Sequence, residues 1–159
     1  MHITTRAALA ASLFAAATPL LAQLVTAGPL RIDQPWSRQT APGQKAGGGF
    51  LNITNQGRID DRLIAASSPI ANEVQIHRMT VEDGVMKMRQ MTDGLALPAG
   101  KTVALKPGGY HLMFMGLKRP LELGDNIPVT LRFQRQGAVT VRFKVRPITA
   151  TSVSGGRHD

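Results

Sequence analysis

The sequence predicts an all-β protein, a single-domain β-sandwich in which Greek-key connections join about eight or nine strands. Short runs of alternating apolar and polar residues recur about every ten residues, and Gly, Pro, Asn or Asp separates them. No long amphipathic helix is indicated. The chain has 159 residues, of which 43% are hydrophobic and 18% charged, as is typical of one compact domain.

The predicted strands follow one another from residue 30 to residue 146. The clearest pair forms a hairpin in which Val129 and Leu131 face one side while Thr130 and Arg132 face the other. This alternation predicts one buried and one solvated face. An Asp-Gly pair similarly predicts the turn of an earlier hairpin. The predicted strands are 30–37, 48–54, 61–67, 73–80, 85–91, 102–106, 110–115, 126–134 and 138–146.

The start of the chain is typical of a secretory signal peptide. Arg6 supplies a positive charge, residues 7–17 are apolar, and Pro19 interrupts the apolar stretch. The stretch is shorter than the roughly 20 residues that span a bilayer, so no membrane span is expected. The predicted organisation is a signal peptide over 1–27, cleaved after Ala22 or Ala27, a β-sandwich domain over 28–150 and a flexible tail over 151–159.

Two features of the composition exclude whole classes of function. The chain contains no cysteine, which excludes disulfides, thiolate metal sites, cysteine nucleophiles and lipid attachment through cysteine. The formal net charge is +9, which favours an anionic partner. A nucleic acid is not expected, because the chain carries an export signal, has only 4% aromatic residues and lacks a basic patch interleaved with aromatic side chains.

Histidine and methionine are concentrated in one part of the chain. Apart from the initiator, every methionine lies between Met79 and Met115. Of the two histidines outside the termini, His111 lies in the same segment and His77 lies two residues before it. Because side chains alternate along a strand, His111 and Met113 share one face, which we expect to face outward. An isolated methionine in a strand is more often core filler than a ligand. The concentration of methionine and histidine in one segment therefore predicts a metal site.

Ligand chemistry then selects the ion. Thioether sulfur is soft and imidazole is borderline, a mixture that suits Cu(I), with zinc as the second candidate. A blue-copper centre is not expected, since it needs a cysteine thiolate. A neutral imidazole and thioether shell can release Cu(I) to a better set of ligands, which favours transfer. An enzyme is not expected, because the chain has no Gly-x-Ser-x-Gly or His-Glu-x-x-His motif.

The spacing of these residues resembles that of a known family, the periplasmic copper chaperones called PCu(A)C. In that family His, Met, His and Met recur at defined intervals. Here ten residues separate His77 from Met88, twenty-two separate Met88 from His111, and one separates His111 from Met113. The middle interval is one residue longer than in the family pattern. Other stretches that resemble the family are 35–38, 83–89, 97–100, 106–113 and 115–118.

The resemblance implies a cupredoxin-like β-sandwich that carries Cu(I) in the bacterial periplasm. It further implies delivery of copper to the copper centre of cytochrome c oxidase, alongside thioredoxin-like copper proteins. Because of the longer middle interval, Met86 and Met91 remain alternatives to Met88 as a ligand. Met79, Met86 and Met115 are implied as neighbouring or transient sites. The Cu(I) ligands that the resemblance implies are His77, Met88, His111 and Met113.

Two other functions remain open at this point. A β-sandwich with a methionine-lined, adaptable face also suits the binding of a protein or peptide. The same copper site would equally serve copper storage or resistance. A second copper site, for Cu(II), is not expected, because the last six residues contain one histidine and no methionine.

Overall fold

The computed structural model describes residues 23–152, and these residues form eleven β-strands. The all-β prediction is confirmed, with eleven strands where eight or nine were predicted. The two strands that were missed are short: β1 lies inside the predicted signal peptide, and β7 has three residues. The strands are β1 Leu24–Ala27, β2 Leu30–Arg38, β3 Ala46–Asn55, β4 Asp61–Ser67, β5 Ala71–Glu82, β6 Val85–Gln90, β7 Leu95–Leu97, β8 Thr102–Leu105, β9 Tyr110–Leu117, β10 Asn126–Phe133 and β11 Gly137–Arg146.

The strands form one sheet that closes on itself into a barrel-like sandwich. Around the closed part the order is β5, β9, β3, β2, β11, β10 and β4, and the pairing of Ala66 with Val74 joins β4 back to β5. The β2–β11 and β8–β9 pairs are parallel, and the other pairs are antiparallel. Strand β6 pairs with β5 alone. The β5–β6 hairpin therefore extends the closed sheet at an edge.

The interior is filled by apolar side chains from nearly every strand. Phe114, Phe133 and Phe143 are among the largest fully buried side chains, and the rings of Phe114 and Phe143 meet edge to face with centroids 6.1 Å apart. Gly49 of β3 passes against this pair, since a Cβ there would lie 2.9 Å from the Phe114 ring. The predicted alternation of the β10–β11 hairpin is present, with Leu131 buried and Arg132 exposed.

The ends of the chain bear on the predicted processing. Residues 1–22 and 153–159 lie outside the described residues, and so do most of the predicted signal peptide and tail. Strand β1 pairs with the start of β2. Cleavage after Ala22 would therefore keep β1, whereas cleavage after Ala27 would remove it. Within residues 23–152 no helix is long and apolar enough to cross a membrane.

Candidate metal centre

The two predicted histidine ligands lie directly opposite each other on neighbouring strands. Strands β5 and β9 run antiparallel, and His77 and His111 are partners in their register. Their ring centroids are 5.6 Å apart. Residues directly opposite each other in an antiparallel pair point to the same face of the sheet. The sheet therefore brings together two imidazoles that the sequence places in separate hairpins.

Methionines flank this pair on the same face. Met113 lies opposite Gln75, one diagonal step from His77. Met79 lies one step from His77 in the other direction along β5, and its backbone N–H donates to the carbonyl of Gly109. Diagonal neighbours of this kind are within reach of long side chains. His77, His111 and Met113 thus lie together on two adjacent strands.

Met88, the remaining predicted ligand, lies one strand farther out. It is on the edge strand β6 opposite Met79, and 45% of its surface is exposed. Strand β5 therefore separates Met88 from His111. Of the two alternatives to Met88, Met86 is 66% exposed near the tip of the hairpin, whereas Met91 packs against the hydrophobic core. Met91 therefore lies with the core side chains, whereas Met86 and Met88 lie on the exposed edge strand.

A cavity of about 310 Å³ adjoins the histidine pair. Gly48 of β3 lies opposite Met113, and the Phe50 ring packs over it, 3.0 Å from where a Cβ of residue 48 would stand. None of the residues that line the cavity is acidic, and His77 and Met88 are not among them. The lining residues are Arg38, Gln39, Gln44, Gly48, Phe50, Met79, Pro107, Gly108, His111, Met113 and Ile148.

Each imidazole has one nitrogen engaged and one nitrogen left for another partner. Nδ1 of His111 lies 3.0 Å from the carbonyl oxygen of Gly109 and donates to it, which leaves the lone pair on Nε2. Nε2 of His77 lies 2.7 Å from Oε1 of Gln75 and donates in the same way. Nδ1 of His77 is buried and has no hydrogen-bond partner among the described residues. Metal-binding histidines characteristically donate their second N–H to such an oxygen.

The surroundings of His77 favour the neutral form of its ring. Burial and the neighbouring His111 both lower the pKa of His77 below its usual value of 6.5, and the carboxylate of Glu73 offsets part of this effect. Only the neutral imidazole has a lone pair to give to a metal ion. The lowered pKa therefore favours the form of His77 that can act as a ligand.

The donor set is soft. Within residues 23–152 no three His, Asp or Glu residues come together in an arrangement that could hold a metal ion. The groups that do come together are two imidazoles and the thioethers of Met79 and Met113. Such a set suits Cu(I) better than it suits Mg²⁺, Ca²⁺ or Mn²⁺.

Several features of this site were not predicted from the sequence. Gln75 lies two residues before His77 and so shares its face, a signal that strand alternation already contains. His111 was expected to face outward, yet it is only 4% exposed and lies near Phe50, with ring centroids 6.5 Å apart. Phe50 and Arg38 come from β3 and β2, far away in the chain. No local pattern could have placed them here.

A known family and a known protein are similar to this chain in sequence. A family model described as "Putative lipoprotein LpqE-like" matches residues 30–145. The "Putative lipoprotein Lxx21020" of Leifsonia xyli subsp. xyli (strain CTCB07) is 32% identical over 156 residues, which cover 96% of this chain and 93% of that protein.

Two solved structures extend the similarity to three dimensions. The copper-bound PCuAC domain from PmoF2 is 25% identical, with a TM-score of 0.68, covering 79% of this chain and 98% of that domain. The solution structure of CuI-DR1885 from Deinococcus radiodurans is also 25% identical, with a TM-score of 0.59, covering 78% of this chain and 80% of that one. This chain belongs to the LpqE-like family, which is the PCuAC-like family that the sequence resembled.

Proposed function

We propose that this protein binds Cu(I) in the cell envelope and transfers it to a partner protein, with His77, His111 and Met113 as ligands. The observation that carries the proposal is the pairing of His77 with His111, in which Nδ1 of His77 is buried with no hydrogen-bond partner in residues 23–152. A buried polar atom that lacks a partner needs an explanation, and a bound metal ion supplies one. The copper in the two solved relatives supports this ion.

Met88 is the fourth ligand of the proposed site, as the family spacing implies. The β5–β6 hairpin that carries it is exposed along all of β6. Bending of this hairpin toward the histidine pair would bring the thioether of Met88 over the copper ion. Met79, which already lines the cavity, is its competitor for the fourth position.

Delivery, rather than storage or resistance, is the proposed role. The ligands are neutral, and the site borders a cavity on the protein surface, so an incoming ligand can reach the ion. We place the protein in the periplasm and propose the copper centre of cytochrome c oxidase as the destination of the copper. Its proposed partners are the oxidase subunit itself and thioredoxin-like copper proteins. Mixing the Cu(I)-loaded protein with a soluble oxidase copper domain should move the ion to that domain. A storage protein would instead keep its Cu(I) in the presence of that domain.

The first test is a titration of the protein with Cu(I) in competition with bicinchoninate. The protein should retain one tightly held Cu(I), whereas a module that binds only peptides should retain none.

Replacing Met113 with leucine should weaken the affinity for Cu(I) at least about tenfold, or about 1.4 kcal/mol, because a sulfur donor is lost. The fold should remain intact, since this near-isosteric exchange typically costs less than about 1.5 kcal/mol.

Met115→Leu is the matched control for this titration. Met115 lies two residues farther along β9 on the same face, opposite Glu73, and does not line the cavity. Its replacement should leave the affinity for Cu(I) unchanged. Full affinity in the Met113→Leu variant would remove Met113 from the site.

The fourth ligand can be identified by X-ray absorption of the copper-loaded protein. We expect Met88→Leu to remove one sulfur from the copper shell and to lower the affinity, because leucine offers no donor atom. Met79→Leu should change neither. The reverse result would assign the fourth position to Met79 and would show that the hairpin does not close.

A further inference from the structure

Arg38 lies at the rim of the cavity, and two contacts hold its side chain in place. Its Nε donates to the carbonyl of Ala150 at 2.7 Å, and its Cζ lies 5.7 Å from the centroid of the Phe50 ring. The Phe50 ring in turn lies beside His111. None of the ion pairs formed within residues 23–152 involves Arg38. A fixed and uncompensated positive charge therefore adjoins the metal centre.

Further cations continue from Arg38 along the outer face of β11. Arg146 lies opposite Arg38 in the register of β11 and β2. Lys144, two residues before Arg146 and on the same face, lies opposite Trp36. Arg142, two residues before Lys144, continues the series. Arg142 and Lys144 are exposed, and Nε of Arg146 is buried without an acceptor among the described residues.

Little negative charge is available nearby to neutralise this series. Strands β10 and β11 contain no Asp or Glu. The turn before β10 carries two carboxylates: Asp125 is held by Arg119 at 2.6 Å, and Glu122 forms no ion pair within residues 23–152. Nζ of Lys144 contacts only a neutral acceptor, the carbonyl of Gly124 at 3.2 Å. The four cations therefore present a continuous positive surface that ends at the copper cavity.

We propose that Arg38, Arg142, Lys144 and Arg146, here called the basic row, dock an acidic segment of the protein that exchanges copper with this site. The inference rests on the copper-transfer function proposed above. One carboxylate of the segment pairs with Arg38 beside His111, as guanidinium and carboxylate groups do in two-point contacts. Flanking carboxylates contact the exposed cations of β11.

Charge complementarity selects this occupant. Neutral ligands leave the charge of Cu(I) uncompensated, so the loaded cavity adds a positive charge next to Arg38. A basic partner is repelled from such a surface, whereas an acidic one is attracted and oriented with its own copper ligands over the cavity. Electrostatic contacts of this kind act mainly on the rate of encounter.

The test compares two synthetic acceptor peptides that share one His- and Met-containing Cu(I) site and are flanked by Asp in one case and by Lys in the other. At low salt, the loaded protein should transfer Cu(I) to the Asp peptide about tenfold faster, and high salt should remove the difference. The double variant Arg142→Gln, Lys144→Gln should abolish this preference at unchanged Cu(I) affinity. Arg38→Gln should also weaken it, and Arg38→Lys should restore part of it.

The control variant removes the same charge elsewhere. Arg58 and Arg135 line a separate cavity beside Pro29 and Asp61, and the double variant Arg58→Gln, Arg135→Gln should keep the preference for the Asp peptide. Equal losses in both double variants would mean that only net charge matters and would overturn the proposal. The proposal would also be overturned if the basic row bound phosphatidylglycerol vesicles while its substitution left transfer to both peptides unchanged.

A second measurement separates this inference from the proposed function. Adding the Asp peptide to the copper-free protein should shift the amide resonances of Arg38 and β11, and the Arg142→Gln, Lys144→Gln variant should lose these shifts. If the protein retains no Cu(I), the proposed function fails. If it retains Cu(I) but shows no such shifts and no charge preference, the docking surface alone fails.

Discussion

Replacing His111 with alanine should reduce the affinity for Cu(I) by at least about a hundredfold, or about 2.7 kcal/mol. His111 lines the cavity, and Nε2 keeps its lone pair for a metal ion because the proton is on Nδ1, which donates to the carbonyl oxygen of Gly109. Alanine removes this donor and also the group that lies opposite His77. The affinity is measured by competition with bicinchoninate, and the fold of the copper-free variant is checked by circular dichroism.

His77→Ala provides a second variant for the same prediction. His77 is only half-buried, so its removal disturbs the packing less than that of His111. Gln90→Ala is the matched control, since Gln90 lies opposite His77 on the other side, on the exposed strand β6. Both histidine variants should lose affinity and the Gln90 variant should not. Wild-type affinity in His77→Ala would show that the histidine pair is not the copper site.

Copper itself supplies an independent measure of the same site. A ligand that binds only the folded state raises its stability, by about 2.7 kcal/mol at a free concentration 100 times the dissociation constant. Cu(I) should therefore raise the melting temperature of the wild-type protein and of Gln90→Ala, and should raise that of His111→Ala far less. A similar rise in all three proteins would place the stabilising ion elsewhere.

Local sequence pattern predicted much of the fold because alternation is a local property. The β10–β11 hairpin shows this, since regular alternation on both sides of a three-residue turn specifies both strands and their inward faces. The short strand β7 has no such signal, because three residues are too few to show a period. Strand β1 was missed for another reason, in that its residues were read as part of the signal peptide.

The residues of the proposed metal site could be selected from the sequence, but their arrangement in space could be predicted less well. Spacing identified His77, His111 and Met113, which the register of β5 and β9 then places side by side. Spacing along the chain says nothing about which strand is at an edge, so it could not show that Met88 is exposed on β6. The burial of His111 likewise depends on Phe50, which a distant strand supplies.

Phe114→Ala should cause the largest loss of stability, about 3–5 kcal/mol in the free energy of unfolding. Phe114 is fully buried, meets Phe143 edge to face, and lies in contact distance of the space that Gly49 leaves open. Alanine leaves a cavity at this junction of β3, β9 and β11. Urea denaturation of the copper-free protein measures the loss.

The same substitution also tests how far the metal centre depends on the core behind it. Phe114 directly follows Met113 on β9 and points to the opposite face, so it anchors the strand that carries two of the proposed ligands. Phe114→Leu keeps most of the buried apolar volume and should lose clearly less stability than the alanine variant. Copper at saturating concentration should recover part of the stability of Phe114→Ala, because binding favours the folded state. A loss below about 1 kcal/mol in Phe114→Ala would mean that the core collapses around the missing ring and that other contacts hold β9 in position.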